Sequence, residues 1–262
     1  MDILEYSIAT EDNRKEIRAF LMKHFLKEET MNVNNMDILE YSIATEDNRK
    51  EIRAFLMKHF LKEETMNVAT AITEEEFAPF ADKVLDLALP TPFTVLCRNG
   101  FGNLVGVAVS TIYRRDDPEF VDPLGSPQRQ EIAAIGAICE DIHHSIWQLL
   151  PEVTTVLELD LLSVATKYQR RGIAGKMLDI RKSPESLKGF VCQASSYANQ
   201  MLLKKRGHQE LKDLPFSHFV DKDNELKDVP FSHFVDKDNV QLIKPQDETR
   251  SVKLFWKAYD PQ

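Results

Sequence analysis

Apolar positions along this chain recur with a helical period in some stretches and an alternating or continuous one in others, and the two kinds interleave from end to end. Residues 40–43 form a short strand-like run. After it, Ile52, Phe55, Leu56 and Phe60 follow helical spacing. Thr45 is a suitable N-cap for that helix, with Glu46 and Asp47 in its first turn. A second helix is predicted over 74–89, with Phe77, Phe80, Ala81, Val84, Leu85 and Ala88 on one side; Pro90 and Pro92 stop it. A hairpin follows, 93–97 and 104–113, turning through Asn99-Gly100-Phe101-Gly102-Asn103. The next helix opens at Ser126-Pro127 and runs to about 150, with Ile132, Ile135, Ile138, Ile142, Ile146 and Leu149 as its apolar stripe. Then come a strand at 154–165, a helix from 172 to about 181, a strand at 189–194, a short helix at 197–205 ending at Gly207, and two or three final strands, the last over 252–259. Such interleaving predicts an α/β domain with a mixed sheet.

Two duplications interrupt this order. Residues 1–33 recur identically as 36–68, and ELKDLPFSHFVDKDN at 210–224 recurs as ELKDVPFSHFVDKDN at 225–239. Each unit occurs only twice and the two differ in pattern, so they are not solenoid repeats. A packed domain has one slot per element, which makes one copy of each surplus. We therefore expect 1–35 to be a peripheral duplicated segment, and 36–262 a single domain with a duplicated strand segment at 210–239.

Composition narrows the chemistry. With 262 residues and 43% hydrophobic content, the chain can bury a sizeable core. No apolar run reaches the roughly 18–20 residues of a membrane span, and the charged N-terminus lacks the apolar core of a signal peptide. A net charge of −9 with dispersed lysines and arginines argues against nucleic acid and suits a cationic small molecule. Cys97, Cys139 and Cys192 are odd in number and set in apolar context, as expected of thiols in a reducing, cytoplasmic setting. No metal site is expected. His143 and His144 are adjacent and would point about 100° apart on a helix, and His218 and His233 are copies of one repeat position.

The stretch ELDLLSVATKYQRRGIAGKMLD, 158–179, is the most informative. An apolar strand leads into a basic turn, Gln169-Arg170-Arg171, then Gly172 and a helix. The first N–H groups of a helix lack intrahelical partners and favour anions. Glycine allows close approach of a ligand, and arginines add formal charge for phosphate. A P-loop needs a longer glycine spacing followed by Lys and Ser or Thr, and the dinucleotide-binding glycine pattern is also absent. Taken alone, the turn reads equally as a pyrophosphate cradle or as a basic turn closed by an ordinary helix.

Its surroundings tip the balance. Gln169-Arg170-Arg171-Gly172-Ile173-Ala174 resembles the Q/R-x-x-G-x-G/A signature of the GNAT superfamily of N-acetyltransferases, and lies, as there, between a long strand and a helix. Downstream, VCQASSYANQMLLKKRGHQEL at 191–211 resembles that family's next strand and helix. Upstream, FLKEETMN at 60–67 resembles a segment of the insect arylalkylamine (dopamine-type) branch. The resemblance spans about 36–262 and implies a mixed, mostly antiparallel sheet flanked by helices, with a splayed strand pair forming an acetyl-CoA groove. It implies that the turn amides from Arg171 through Gly172, Ile173, Ala174 and Gly175 to Lys176 hold pyrophosphate, with Gln169 and Arg170 beside them. It further implies that the pantetheine arm pairs with Leu162, Ser163 and Val164, and that an N–H near Val164 polarises the thioester carbonyl.

The same resemblance places Glu64 as the base that frees the amine and Ser195 in the active site. Without it, Glu64 reads as a solvated acid after a helix, and Ser195 as a strand-end cap. The branch's second serine falls on Asn199, and the tyrosine many members use as acid falls on Leu203. The implied activity is acetyl transfer from acetyl-CoA to a small primary amine, an arylalkylamine above all. The alternatives are a protein or peptide N-acetyltransferase, or a CoA-binding protein without turnover. Specificity is expected in the loops 65–75, 113–126 and 212–250, which carry no readable code.

Both long copies carry the same strand, helix and acid, Glu29 or Glu64. Using the first would loop out 36–68 with its apolar face exposed. Deleting 1–35 is therefore expected to leave a folded, active protein, checked by thermal melting and acetyl transfer. Loss of folding on deletion, with Glu29→Ala rather than Glu64→Ala abolishing activity, would reverse the assignment.

Overall fold

The structure is a computed structural model that describes residues 37–118, 129–180, 187–216 and 243–259. The first copy of the long repeat, the second strand copy (225–239) and the predicted helix start at Ser126-Pro127 lie outside the described residues. The chain divides into a large unit, Tyr41–Cys97 with Leu104–Gln262, and a small one that includes the hairpin tip Arg98–Asn103. Within that tip Asn99 closes the turn: its Oδ1 accepts from the amides of Phe101 and Asn103, both at 3.1 Å.

Strand β1 (Leu39–Ile43) comes from the second copy of the long repeat, as does the helix after it. Asn48 Oδ1 accepts from the Thr45 amide at 2.9 Å, closing a 3-10 turn over Glu46–Asn48. Helix α1 (Arg49–Phe55) then passes through a π-helical turn (Leu56–Phe60) into one last α turn (Leu61–Glu63). At Glu64 the backbone turns extended, and a new helix, α2 (Thr65–Thr70), begins. The stretch 65–75, expected to be a loop, is thus half helix; polar Thr65, Asn67 and Thr70 are buried in it, which hides any apolar period.

Helix α3 (Glu74–Ala88) opens with a reciprocal cap, Thr73 Oγ1 accepting from the Glu76 amide and Glu76 Oε2 from the Thr73 amide. Strands β2 (Val95–Asn99) and β3 (Leu104–Arg114) form the predicted hairpin. Helix α4 (Gln130–Leu149) follows. Arg129, at its start, pairs with Glu76 at 2.9 Å and donates to the last carbonyls of α2, Thr70 O and Ala71 O, both at 3.2 Å. That guanidinium, with help from the Thr73 amide, pulls the Glu76 carboxyl down to about 2. One side chain thereby fixes α2, α3 and α4 relative to each other.

The remaining elements are β4 (Thr155–Val164), α5 (Ile173–Ile180), β5 (Gly189–Ala194), α6 (Tyr197–Lys205), β6 (Gln209–Pro215) and β7 (Ser251–Ala258). Apart from β6, for which no span was predicted, they lie within a residue or so of the predicted spans. The sheet order is β1-β2-β3-β4-β5-β7-β6. Pairs β3–β4, β5–β7 and β6–β7 are antiparallel, and β4–β5 is parallel. This is the mixed, mostly antiparallel sheet expected. No helix among the described residues is long and apolar enough to cross a membrane.

Two details of pairing shape the site. Strand β4 stays paired with β3 along its length, but pairs with β5 only over Leu157–Leu159 against Phe190–Cys192. Beyond that the two diverge, and β5 continues with β7 alone through Ala194. The β3–β4 register also slips between Val109, opposite Leu161, and Ser110, opposite Leu159. Asp160 is the extra residue of this β-bulge.

Helix α4 lies along β5, β7 and β6. Its stripe of Ile132, Ile138, Ile142 and Ile146 is buried to 0–1% exposure, whereas Leu149, predicted to continue it, is 41% exposed. The next residue, Leu150, is buried in its place. Ile142→Ala is expected to cost about 2–5 kcal/mol by transfer and cavity terms, and Leu149→Ala less than about 0.5 kcal/mol. Urea denaturation of the two variants checks both; comparable losses would contradict the packing.

Candidate active site

The turn after β4 is built from its own polar residues. Glu63, at the end of α1, accepts from Thr166 Oγ1 and from Gln169 Nε2, both at 2.8 Å. Gln169 Nε2 also donates to the Val164 carbonyl at 3.0 Å. Gln169, although exposed, thus engages the chain itself, as a brace between strand end and turn. Arg170 takes a left-handed conformation, φ +61°, and Gly172 another, φ +78°. Only the second is cheap, because glycine has no Cβ; a non-glycine residue there would store strain in the turn. Gln169, Arg170, Arg171 and Gly172 are exposed, and α5 starts from them with its first amides outward of the helix ladder. Arg171 lies over the Tyr168 ring, 5.3 Å from its centroid. Behind the turn, a Cβ on Gly175 would press on the Arg206 guanidinium, the mobile end of a long side chain, which would have to shift. Arg206 in turn pairs with Asp179 on the same helix.

The divergence of β4 and β5 opens onto a cavity of about 520 Å³, within the range of small-molecule sites. Phe60, Phe77, Phe80, Val84 and Leu161 give it apolar walls. Glu64, Asn67, Thr111, His143, Glu158, Asp160, Gln193 and Ser195 give it polar ones. The two catalytic candidates from the sequence therefore meet in one cavity, although they lie 131 positions apart (195 − 64).

Glu64 is placed by the break between α1 and α2. It caps α2, Oε2 accepting from the Asn67 amide at 2.8 Å, while Oε1 is buried with no hydrogen-bond partner. Burial pushes its carboxyl up from the ordinary value. The Ser195 hydroxyl and the Asn67 and Met66 amides pull the other way, and Asp247 adds to the rise. Asp247 itself accepts from Thr65 Oγ1 at 3.0 Å. The cap of α6 is Ser196, whose Oγ accepts from the Asn199 amide at 3.3 Å. That leaves Ser195 facing Glu64. Leu203, at the position of the family's tyrosine, is fully buried and does not line the cavity. Asn199 donates to Cys192 Sγ at 3.6 Å and also stays outside the cavity.

Glu158, Asp160 and their partners, to which the sequence reading gave no role in the site, complete it. Glu158 accepts from Gln193 Nε2 at 3.2 Å and contacts His143 Nε2 at 3.1 Å. Asp160, two positions on, accepts from Thr111 Oγ1 at 3.3 Å through Oδ1; its Oδ2 is buried without a partner. Both acids line the same cavity. His143 is also stacked on Tyr113, centroids 4.0 Å apart, and Tyr113 on Trp147 at 4.7 Å. The only signal in the sequence was the pair of acids two apart in an otherwise apolar strand. Period two puts such residues on one face.

Desolvation and then the Glu158 charge push the Asp160 carboxyl well above its usual range, against the Thr111 hydroxyl and amide. A raised carboxyl pKa contributes stability that is fully present below the unfolded value. That stability is lost as pH rises through the folded one. Asp160→Asn, which removes the ionisation, is therefore expected to melt above the wild type at pH 8, with the gain vanishing near pH 4. Calorimetric melting across that range checks the sign; a variant that melts lower at pH 8 would contradict it.

No family model and no curated protein matches the chain. Solved structures do match. Arylalkylamine N-acetyltransferase 2 from Aedes aegypti superposes with a TM-score of 0.68 at 14% identity, covering 85% of this chain and 99% of that one. An agmatine N-acetyltransferase in its apo form gives 0.66 at 16% identity, covering 85% and 100%. The Drosophila melanogaster polyamine N-acetyltransferase gives 0.65 at 15%, with the same coverage. At such identities it is the fold that is shared. The chain has the GNAT N-acetyltransferase fold, in the form taken by arylalkylamine, agmatine and polyamine N-acetyltransferases.

Proposed function

We propose that this protein is an N-acetyltransferase that moves an acetyl group from acetyl-CoA to a small primary amine by direct transfer in a ternary complex. The observation that carries the reading is the Glu64 carboxyl: half of it fixed by the Asn67 amide, the other half unpartnered, facing Ser195 in a cavity at the mouth of the β4–β5 divergence.

The residues present fit acetyl-CoA. Strand β4 past Leu159 has an edge that β5 does not use, suited to an extended pantetheine arm along Leu162, Ser163 and Val164. The exposed turn from Arg170 through Gly172 offers two arginines and the start of α5 to a pyrophosphate. Gln169 braces that turn from within. Bound there, acetyl-CoA supplies an activated thioester carbonyl.

The protein's own task is the amine. A primary amine with pKa near ~10.4 is protonated at pH 7, and freeing its lone pair costs roughly 4–5 kcal/mol. Glu64 takes that proton, directly or through water. Its raised pKa makes it a stronger base than an exposed glutamate. The Ser195 hydroxyl beside it eases the charge on the Glu64 carboxyl. As the C–N bond forms the C–S bond breaks; the nitrogen's second proton leaves with the thiolate, whose pKa near ~8.5 makes it a tolerable leaving group. No acid is needed at Leu203. The setting is reducing and cytoplasmic, supported by Cys97, Cys139 and Cys192, none of which is in a disulfide. The substrate is a small molecule rather than nucleic acid or membrane, and 1–35 is peripheral to the 36–262 domain.

Glu64→Ala is expected to lower kcat/KM by about 10²–10⁴ at pH 7, with the deficit shrinking as pH approaches the amine pKa. In the wild type the acid limb of the pH profile should sit above the ordinary glutamate value of 4.5. Steady-state kinetics on an amine panel measures both; wild-type rates in Glu64→Ala at pH 7 would remove this residue from the mechanism.

A further inference from the structure

Among the described residues, six buried side-chain polar atoms have no hydrogen-bond partner, and four of them line the cavity: Glu64 Oε1, Asn67 Nδ2, Asp160 Oδ2 and Gln193 Oε1. Buried polar groups are ordinarily satisfied, so this concentration marks where a ligand completes the structure. Three of the four are acceptors and two are carboxyls. The missing partner is therefore rich in N–H donors and positively charged.

The two carboxyls belong to separate parts of the fold. Glu64 stands at the break between α1 and α2, beside Ser195. Asp160 stands in the β4 bulge, with Glu158 two residues away. Glu158 has both oxygens engaged, by Gln193 and His143. Asp160 has only Thr111, on Oδ1. One amine nitrogen cannot answer both sites, because the nitrogen at Glu64 must give up its proton to react, and once neutral it offers no charge. A buried acid pair without a cation is costly, since desolvation is uncompensated. The rest of the lining is mostly aromatic and aliphatic, with Lys83, Arg114, Asp117 and Glu140 also on it; its apolar part suits an alkyl chain between two polar ends.

We infer that Asp160, backed by Glu158, is a second cation subsite, and that the preferred amine carries another positive charge at its far end, as in a diamine or a guanidino-alkylamine. This rests on the reading of the cavity as an amine-acetylating site, and it narrows the expected substrate away from a simple arylalkylamine. One end, at Glu64, is deprotonated and acetylated. The other stays charged and donates to Asp160 Oδ2, a charge-assisted bond in a desolvated place. Asp160 and Glu158 act here through binding and selectivity, separately from proton removal at Glu64.

The test compares agmatine, a dication, with pentylamine, a monocation of similar length, and with phenethylamine. Equilibrium binding to the full chain saturated with CoA is measured by calorimetry, and acetyl transfer from acetyl-CoA is measured alongside. Agmatine is expected to bind at least about tenfold more tightly than either monoamine, a difference of about 1.4 kcal/mol. In Asp160→Asn that ratio should fall to near one, with the change in KM rather than kcat. Glu158→Gln, a second variant in case the first does not fold, should lower the ratio in the same direction. Equal affinities for the three amines in the wild type, or an agmatine preference that survives both variants, would overturn the subsite. A loss of turnover in Asp160→Asn equal for all three amines would instead make Asp160 part of the proton path, and would also overturn it. Selective agmatine binding without any acetyl transfer would uphold the subsite and defeat the transferase reading. Transfer without selectivity would do the reverse.

Discussion

Beyond Leu159 and Cys192 two parallel strands stop sharing hydrogen bonds, and most of what is distinctive in this molecule depends on that separation. A strand leaving its partner in the middle of a sheet exposes backbone groups that must be satisfied from elsewhere. Here β4 keeps β3 on one side and turns an open edge to the other, while β5 is held in course by β7. The gap admits ligand to the sheet centre, which in an ordinary sheet would be sealed. The elements around it, α2, α3 and α4, are locked to one another by a single guanidinium, Arg129, so the opening is framed by helices that do not need the missing strand contact.

Charge distribution follows from the same opening. The cavity gathers carboxyls, Glu64 above all, with Glu158 and Asp160 on β4 close to where the two strands still pair. The diverged end of β4 is followed by the basic turn with its two arginines. A groove acidic at one end and basic at the other orders two unlike ligands along its length: an anion at the turn and a cation within the cavity. Electrostatics thus assigns orientation before any close contact forms.

Much of this frame was legible in the sequence because it rests on period and punctuation. The spans of β5 and α6 were readable to the residue, since Gly189, Ser196 and Gly207 bound them. The strand–turn–helix around Gly172 was readable for the same reason. Helix α2 was not, because its buried side is polar, and a tertiary hydrogen bond from Thr65 to Asp247, far along the chain, decides its environment. Leu149 was misread as core because the apolar period runs through it, whereas at the helix end the buried side is taken by Leu150. Glu64 and Ser195 were visible only through family resemblance; nothing local distinguishes Glu64 from Glu63, one of which braces the turn while the other enters the cavity. Glu158 and Asp160 were overlooked because two acids two positions apart read equally as a solvated strand face; residues from other elements, Phe60, Phe77 and Phe80 among them, make that face a cavity wall.

The π-helical turn at Leu56–Phe60 has a consequence for how this region tolerates change. Such a turn spreads one extra residue over a helix that otherwise keeps its phase. The part before it is anchored by Ile52 and Phe55, the part after it delivers Glu64 to the cavity. The two parts therefore keep one angular register although the chain between them is a residue longer. Loss of a single residue within the turn would restore an unbroken α-helix and leave Glu63 facing the turn and Glu64 the cavity. Loss of a residue in the single α turn that follows, Leu61–Glu63, meets no such slack and would rotate what lies beyond by about 100°. The same change of length is absorbed at one place and disruptive a few residues on.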